Sequence, residues 1–595
     1  MNDAAHIEGM GAILHPGGVA FRVWAPHARN VSVIGSFNGW DGTKHPMQSE
    51  DNGYWYADAA QAKAGDEYKF LLFTEQGELK RIDPYAREVT GSTGNAIVHD
   101  PQFDWSGDDF QLAPWNELVI YELHVGTFND EEDVKRAGEF ASVSARLGHL
   151  KKLGVNAIQV MPVGEFAGER SWGYNPAHIF SVELNYGGPR ALKRFVKRAH
   201  EEGIAVLLDV VYNHLGPDDL DLWQFDGWRE NERGGIYFYN DERAITPWGE
   251  TRPDYGRGEV RQFLLDNALM WLEEFHVDGL RFDCTQFIRT VNGSDEEELP
   301  EGWALLQWIN SRITELFAGR ITIAEDLRNN IWLTKPVGAG GAGFGSQWDA
   351  MFVHPIRQAV IAPWDEQRSL AEIRDAICYR YNDDAFDRVI YSESHDEVAN
   401  GKARVPQEIA PDDPKGWQAR KRSTLAAAMV FTAPGIPMLF QGQEFLEGEW
   451  FRDSVPLDWD QCVEFHGIVR LYRDLARLRL NRDGFTRGLC GQFTEVYHQH
   501  EDSKVIAFHR WDQGGASDQV VVVANFHSEP LDGYVIGFPA EGAWKLRFNS
   551  DWQGYSDDFA GHPSGDVVAV PEPYDGLPCQ AALSIGSYSV LIFSQ

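Results

Sequence analysis

Two opposite charges lie one residue apart in Gly279-Leu280-Arg281-Phe282-Asp283, a stretch that follows the helix-like run Val260 to His276. In a strand the side chains alternate, so Arg281 and Asp283 share one face while Leu280 and Phe282 share the other. A carboxylate beside a guanidinium is kept ionised by that charge, which suits a nucleophile. A structural Arg/Asp pair at a strand end would read the same way. The polar clusters Asp209-Val210-Val211-Tyr212-Asn213-His214, Ala324-Glu325-Asp326 and Ser394-His395-Asp396-Glu397 raise the question of whether one scaffold brings all four segments together.

That scaffold is legible in the rhythm of the chain. Apolar strands alternate with amphipathic helices: Leu118 to Leu123 then Ser142 to Leu153, Ala157 to Met161 then Pro189 to Glu202, Ala205 to Val211 then Glu259 to His276, Gly279 to Asp283 then Trp303 to Phe317. Strands continue at Ile321 to Glu325, Gln347 to Phe352, Arg388 to Ser392 and Pro437 to Gln441, the last followed by the helix-like Phe465 to Leu480. Eight such units in series predict a parallel (β/α)8 barrel, whose chemistry belongs on the loops at the C-terminal ends of its strands. The four polar clusters fall at the ends of strands three, four, five and seven.

Both flanks read differently. Short alternating runs at Val19 to Trp24, Val31 to Ile34, Tyr54 to Ala57 and Tyr68 to Phe73, broken by Gly, Asn, Asp and Pro, predict a small antiparallel sandwich. A β rhythm returns after Gly491 at Val505 to Trp511, Val520 to Phe526 and Tyr588 to Phe593. The expected architecture is an N-terminal β-sandwich over residues 1–103, a catalytic barrel over 104–490 and a C-terminal all-β domain over 491–595.

Composition narrows the partners. With 53 Lys and Arg against 90 Asp and Glu, the formal charge of -37 would repel nucleic acid and anionic membranes. So acidic a surface suits a saline habitat or simply the solubility of a large enzyme. The 21 Trp, 20 Tyr and 34 Phe are a generous supply of flat rings. Cys284, Cys378, Cys462, Cys490 and Cys579 are odd in number and lack metal-ligand spacing, so they read as free buried thiols in a reducing compartment. Met1 to Met10 has neither a basic region nor an apolar run, and no stretch approaches about 18 uninterrupted apolar residues. A soluble cytoplasmic protein is expected.

The four polar segments, in this order and spacing, resemble the signature regions of the α-amylase superfamily of retaining α-glucan enzymes. Phe21-Arg22-Val23-Trp24-Ala25-Pro26 and Phe37-Asn38-Gly39-Trp40 resemble the carbohydrate-binding-like module that precedes the barrel in some members. The resemblance implies Asp283 as nucleophile, Glu325 as general acid/base and Asp396 as a third carboxylate gripping sugar hydroxyls in the transition state. Arg281 would hold Asp283, and Asp209, His214 and His395 would line the reacting sugar's subsite. Retention needs one ionised and one protonated carboxyl about 5 Å apart. Arg281 would keep Asp283 charged, while an anionic neighbour and a partly dry setting would keep Glu325 protonated near neutral pH.

Trp172-Gly173-Tyr174-Asn175-Pro176 resembles the loop whose Tyr stacks on the reacting glucose, which makes Tyr174 a platform candidate with Trp172 beside it. A second aromatic supply lies between Trp223 and Trp248. His214 and His395 have no Cys or third His at ligand spacing and read as donors to sugar hydroxyls. Asn213 matches a residue that binds structural calcium in many amylases, but Leu215 to Arg257 is too short for a full calcium-binding domain, so no cofactor is assigned. The implied partner is an α-glucan or maltooligosaccharide.

Within the superfamily the motifs divide. Phe37-Asn38-Gly39-Trp40, the Glu397 and Val398 that follow His395-Asp396, Gln441-Gly442-Gln443-Glu444-Phe445 and Leu457-Asp458-Trp459 resemble 1,4-α-glucan branching enzymes. Tyr121 to Phe128, the Trp172 loop, the Tyr212-Asn213-His214 ending and Thr246-Pro247-Trp248-Gly249 resemble maltooligosyltrehalose trehalohydrolases, although those usually carry Gln where Glu397 stands. A plain α-amylase or debranching hydrolase is the third reading, and a non-catalytic glucan-binding relative a fourth that the three carboxylates disfavour. The leading expectation is branching: a segment is taken from a 1,4 bond and delivered to a 6-hydroxyl.

Overall fold

The computed structural model describes residues 7–130, 137–515, 518–559 and 562–595, so part of the Met1 to Met10 stretch lies outside the described residues. At its centre eight parallel strands close into a barrel: Ile120–Leu123, Ala157–Val160, Ala205–Val210, Gly279–Phe282, Ile321–Ala324, Ser346–Trp348, Arg388–Ile390 and Ile436–Phe440. Strand one closes the ring by pairing with strands two and eight.

Alternation along these strands sorts the side chains. Ile120, Ala157, Ala205, Leu207, Ile321, Ile323, Trp348, Val389, Ile436 and Met438 form a compact core of their own. Two residues further along the same inward rows come Glu122, Gln159, Asp209 and Glu325, all buried. The opposite faces, including Leu123, Val160, Leu208, Leu280 and Phe282, join the large core shared with the helices. The interior is therefore packed, and it is capped toward the C-terminal rim by a layer of charge.

Two expected elements are corrected. Gln347 to Phe352 is not one strand: pairing ends at Trp348, and Ala350–Ile361 is helical. Asp349 starts that helix by accepting a hydrogen bond from the Met351 N–H at 2.8 Å. A short buried apolar run has no period to separate strand from helix, and the cap decides. The helix expected over Ser142 to Leu153 is two, Phe140–Ser144 and Leu147–Leu153. At the break the Ser144 hydroxyl bonds back to the Phe140 carbonyl at 2.8 Å, the type of contact that bends helices.

The N-terminal region contains two antiparallel sheets. One holds Gly11–His15, Gly18–Trp24, Tyr54–Ala59 and Gln48–Ser49, the other Asn30–Gly35, Glu67–Thr74, Gly77–Arg81 and Ala96–Ile97. It is tied to the barrel's long third loop, where Arg81 donates to the Phe225 and Gln224 carbonyls at 2.8 and 2.9 Å. The C-terminal region is all-β, a six-stranded sheet faced by the pair Leu531–Phe538 and Cys579–Ile585. No helix among the described residues is long and apolar enough to cross a membrane. All five cysteines are free, but Cys378 is exposed and Cys462 half-buried, which corrects the expectation that every thiol is buried.

Lys421, on the helix Trp417–Thr432, is fully buried and pairs with Asp551 of the C-terminal region at 2.6 Å. Removing one partner strands a charge out of water. Asp551→Ala is expected to cost about 3–5 kcal/mol, and Lys421→Met combined with Asp551→Leu to recover most of it, as read from urea unfolding. Equal stability of Asp551→Ala and the parent would refute a structural role for the pair.

Candidate active site

Arg281 is the hub of the charged layer. Its fully buried guanidinium uses Nη1 to reach Asp209 at 2.6 Å and Asp283 at 3.1 Å, and Nη2 to reach Glu325 at 3.0 Å. Register explains the first contact, because Asp209 lies directly opposite Arg281 on the neighbouring strand. The Trp348 ring packs against the same cation, 4.3 Å from ring centroid to guanidinium carbon. Asp283 and Glu325 each follow the last residue of their strands, which places both on the rim.

The protonation of this cluster differs from the expectation in one respect. Arg281 favours an ionised Asp283, yet one cation is divided among three carboxylates. Burial, joined by Glu325, Asp209 and Asp396, pushes Asp283 well above the ordinary carboxylate range against the pull of Arg281. Burial likewise raises Glu325, opposed by Arg281 and reinforced by Asp396. Asp283 and Glu325 therefore titrate as a unit that retains a proton to higher pH than an isolated carboxyl would.

Glu325 Oε2 also accepts from the backbone N–H of Cys284 at 2.6 Å. Cys284 adopts φ 42°, a left-handed conformation that is costly for a residue with a side chain. Its thiol is a small buried group, but its backbone fixes one oxygen of Glu325. The adjacent Asp326 faces elsewhere, held by Arg289 at 2.8 Å and Thr285 at 3.1 Å, which separates the two acidic residues of that segment.

Strand seven's loop completes the rim. His395 Nδ1 is 2.7 Å from Glu122, its Nε2 is 3.5 Å from Asp396, and its backbone N–H donates to Glu122 at 3.1 Å. Against the penalty of burial, Asp396 and Glu122 raise His395 to about 9, so it is an imidazolium at neutral pH. Asp396 itself is only partly covered and accepts from Asn400 Nδ2 at 3.4 Å. The Tyr174 ring stacks on His395 with centroids 4.8 Å apart, and its hydroxyl donates to Asp209 at 2.6 Å. Trp172 packs on Phe451 and meets the edge of His395.

Three expected residues make their described contacts outside the Arg281 cluster. Glu397 is not part of the Arg281 cluster: its carboxylate bonds Lys402 at 2.8 Å and His354 at 3.1 Å, contacts that outweigh burial and hold it down at about 2. His214 stacks on Trp248 at 4.5 Å, and burial lowers it to about 4, leaving it neutral. Asn213 is fully buried, and neither of its amide atoms has a protein partner. An orphaned amide oxygen fits one ligand of a cation. Among the described residues no group of three or more His, Cys, Asp or Glu side chains converges as a metal site.

Glu122 and Trp348 escaped sequence reasoning. Their strands, one and six, carry no polar cluster at their ends. The available signal was Glu122's place in Ile120–Leu123, an acidic residue on the inward row of a predicted strand.

Comparison with known proteins fits this geometry. Residues 5–86 match carbohydrate-binding module 48 (isoamylase N-terminal domain), residues 123–244 the alpha amylase catalytic domain, and residues 496–595 the alpha amylase C-terminal all-beta domain. The chain belongs to the α-amylase family. It is 32% identical to the 1,4-alpha-glucan branching enzyme GlgB of Corynebacterium jeikeium, over 98% of this chain and 83% of that protein. Its identity to the enzyme of the same name from Marinobacter nauticus is 31%, over 96% of this chain and 92% of that one. Among solved structures, a pullulanase from Anoxybacillus sp. LM18-11 complexed with maltotetraose shares the fold with a TM-score of 0.76 and 22% identity, covering 99% of this chain and 88% of that one. Pullulanase type I from Bacillus subtilis aligns with a TM-score of 0.76 at 21% identity, covering 99% and 86%.

His395's raised pKa has a sign that can be checked. Its stabilising contribution is complete below the ordinary value of 6.5 and is lost as pH rises through about 9. In Glu122→Gln the His395 midpoint, followed by NMR, is expected to fall by about one unit or more. The stability lost between those two pH values should shrink with it. An unchanged midpoint would mean that Glu122 does not set the charge of His395.

Proposed function

We propose that this protein is a 1,4-α-glucan branching enzyme acting by double displacement, with Asp283 as nucleophile and Glu325 as general acid/base. The observation that carries the reading is the shared guanidinium. Arg281 binds Asp283 and Glu325 on its two terminal nitrogens, and this fits the short carboxyl separation a retaining reaction needs, about 5–5.5 Å. Full-length similarity to proteins named branching enzymes supports the choice within the family.

In the first step the proton retained by the pair is on Glu325; Asp283, as the carboxylate, attacks the anomeric carbon of a 1,4-linked glucose while Glu325 gives that proton to the departing 4-oxygen. Both described contacts to Glu325's carboxyl fall on Oε2, from Arg281 and the Cys284 N–H, leaving Oε1 to carry that proton. In the second step Glu325, now ionised, takes the proton of an acceptor 6-hydroxyl, whose oxygen displaces Asp283 and forms the α-1,6 branch. Asp396 and the imidazolium of His395 act together on the sugar's hydroxyls, and Tyr174, stacked on His395 and bonded to Asp209, joins them to the Arg281 cluster. Charge developing on the ring meets several fixed anions whose orientation is already determined, so little reorganisation is needed at the moment of reaction.

One observation favours hydrolysis instead. The strand-three ending Tyr212-Asn213-His214 is the ending usual in hydrolases, and His214 is stacked on Trp248. A single time course on amylose separates the two. In a branching enzyme iodine absorbance falls while reducing ends appear only after treatment with a debranching enzyme. Reducing ends that rise directly mark a hydrolase, and maltooligosyltrehalose is then the substrate to test. Glu325→Gln is expected to lower the rate by about 10²–10⁴-fold and Asp283→Asn by at least as much; near-parental rates in either would overturn the assignment.

A further inference from the structure

On the outer side of strand one, three groups that can do chemistry stand in line, and the proposed reaction uses none of them. His149 comes from the helix Leu147–Leu153, Cys462 from the short helix Asp460–Glu464, and Glu444 from the segment after strand eight. Cys462 Sγ lies 4.0 Å from His149 Nδ1, and His149 Nε2 lies 2.9 Å from Glu444 Oε1. Glu444 has no access to water. The Tyr121 hydroxyl donates to it at 3.1 Å and accepts from the Gly442 N–H at 2.9 Å, so the carboxylate is fixed from behind. Trp459 meets the imidazole edge-on at 5.2 Å and is anchored by its indole N–H to the Phe128 carbonyl at 2.7 Å.

A carboxylate on the far nitrogen of an imidazole orients the ring and stabilises its protonated form. Against the penalty of burial, Cys462 and Glu444 raise His149 to about 9, so an imidazolium faces the sulfur at neutral pH. A cation in that position stabilises the negative charge with which a sulfur attacks. The other four thiols are placed differently. Cys284, Cys490 and Cys579 are buried, and the described contacts of the first two are with Gln286 and Arg479. Cys378 is exposed, and no imidazole is among its described contacts. Cys462, half-buried, combines access for a small reagent with an imidazole held by a carboxylate.

We propose that Cys462 is an oxidation site whose substrate is a hydroperoxide, with His149 as its proton donor and Glu444 as the residue that positions His149. The thiolate form of Cys462 attacks the terminal peroxide oxygen; the S–O bond forms as the O–O bond breaks. The electron pair of that bond leaves with the second oxygen, which takes the proton of His149 and departs as water or an alcohol. Sulfur is thereby oxidised to a sulfenic acid and the peroxide reduced. None of the three residues belongs to the Arg281 cluster, so this inference stands or falls separately from the α-glucan reading.

The experiment treats the reduced full chain with hydrogen peroxide, traps sulfenic acid with dimedone, and follows each cysteine by peptide mass spectrometry. Cys462 is expected to be labelled at least about tenfold faster than Cys378, although Cys378 is the more exposed. His149→Gln, which removes the cation, should slow Cys462 by about tenfold or more and leave Cys378 unchanged. Labelling of Cys378 as fast as Cys462 in the parent overturns the proposal, and that comparison holds even where the His149 variant fails to fold. An unchanged Cys462 rate in folded His149→Gln overturns it as well.

Discussion

A single buried cation sets the terms for the whole site. Arg281 has no access to water, and the carboxylates of Asp209, Asp283 and Glu325, with the face of the Trp348 ring, repay its desolvation. At an effective dielectric of about 20, each such contact at about 4 Å is worth roughly 4 kcal/mol before desolvation is charged against it, so no one carboxylate would suffice. Three carboxylates on one cation leave an excess of negative charge, and the excess is relieved by retained protons. Burial, joined by the repulsion between these carboxylates, keeps a proton in the cluster against the pull of Arg281, and a protonated carboxyl is what an acid catalyst requires.

The barrel makes this arrangement possible because its alternation is strict. Asp209, Arg281 and Glu325 lie on inward rows whose preceding members, Leu207 and Ile323 among them, fill a dry core beneath them. That core supplies a low-dielectric floor, and Trp348 closes it directly against the guanidinium. Shifting any of these strands by one residue would turn its charge outward into the helix layer, where Phe282 and Leu280 now pack. The stability of the fold and the position of the chemistry are enforced by one register.

Much of this was legible in the sequence, for a definite reason. Asp283, Glu325, His395 and Asp396 each belong to a short polar run at the end of an apolar stretch, so their place on the rim follows from the strand pattern alone. Glu122 is isolated in its strand, and Trp348 looks like one more core aromatic; their roles arise from neighbours on other strands, at separations no local pattern encodes. The same limit explains Glu397. It adjoins Asp396 in the chain, but its carboxylate is captured by Lys402 and His354, and proximity in sequence says nothing of which way a loop residue turns. The misread sixth strand is a matter of capping, since Asp349 can be recognised as a helix start only once the strand before it is known to be three residues long.

What separates transfer from hydrolysis lies outside the carboxyl cluster. A glycosyl-enzyme intermediate is resolved by whichever hydroxyl reaches the anomeric carbon, and water is always the more abundant. A transferase must therefore hold its glucan chains by contacts remote from the reacting bond, so that an acceptor is in place and water is displaced when the intermediate forms. Binding energy gathered at such a distance is then available to orient the sugar in the cleft, the condition under which a sugar hydroxyl can outcompete water.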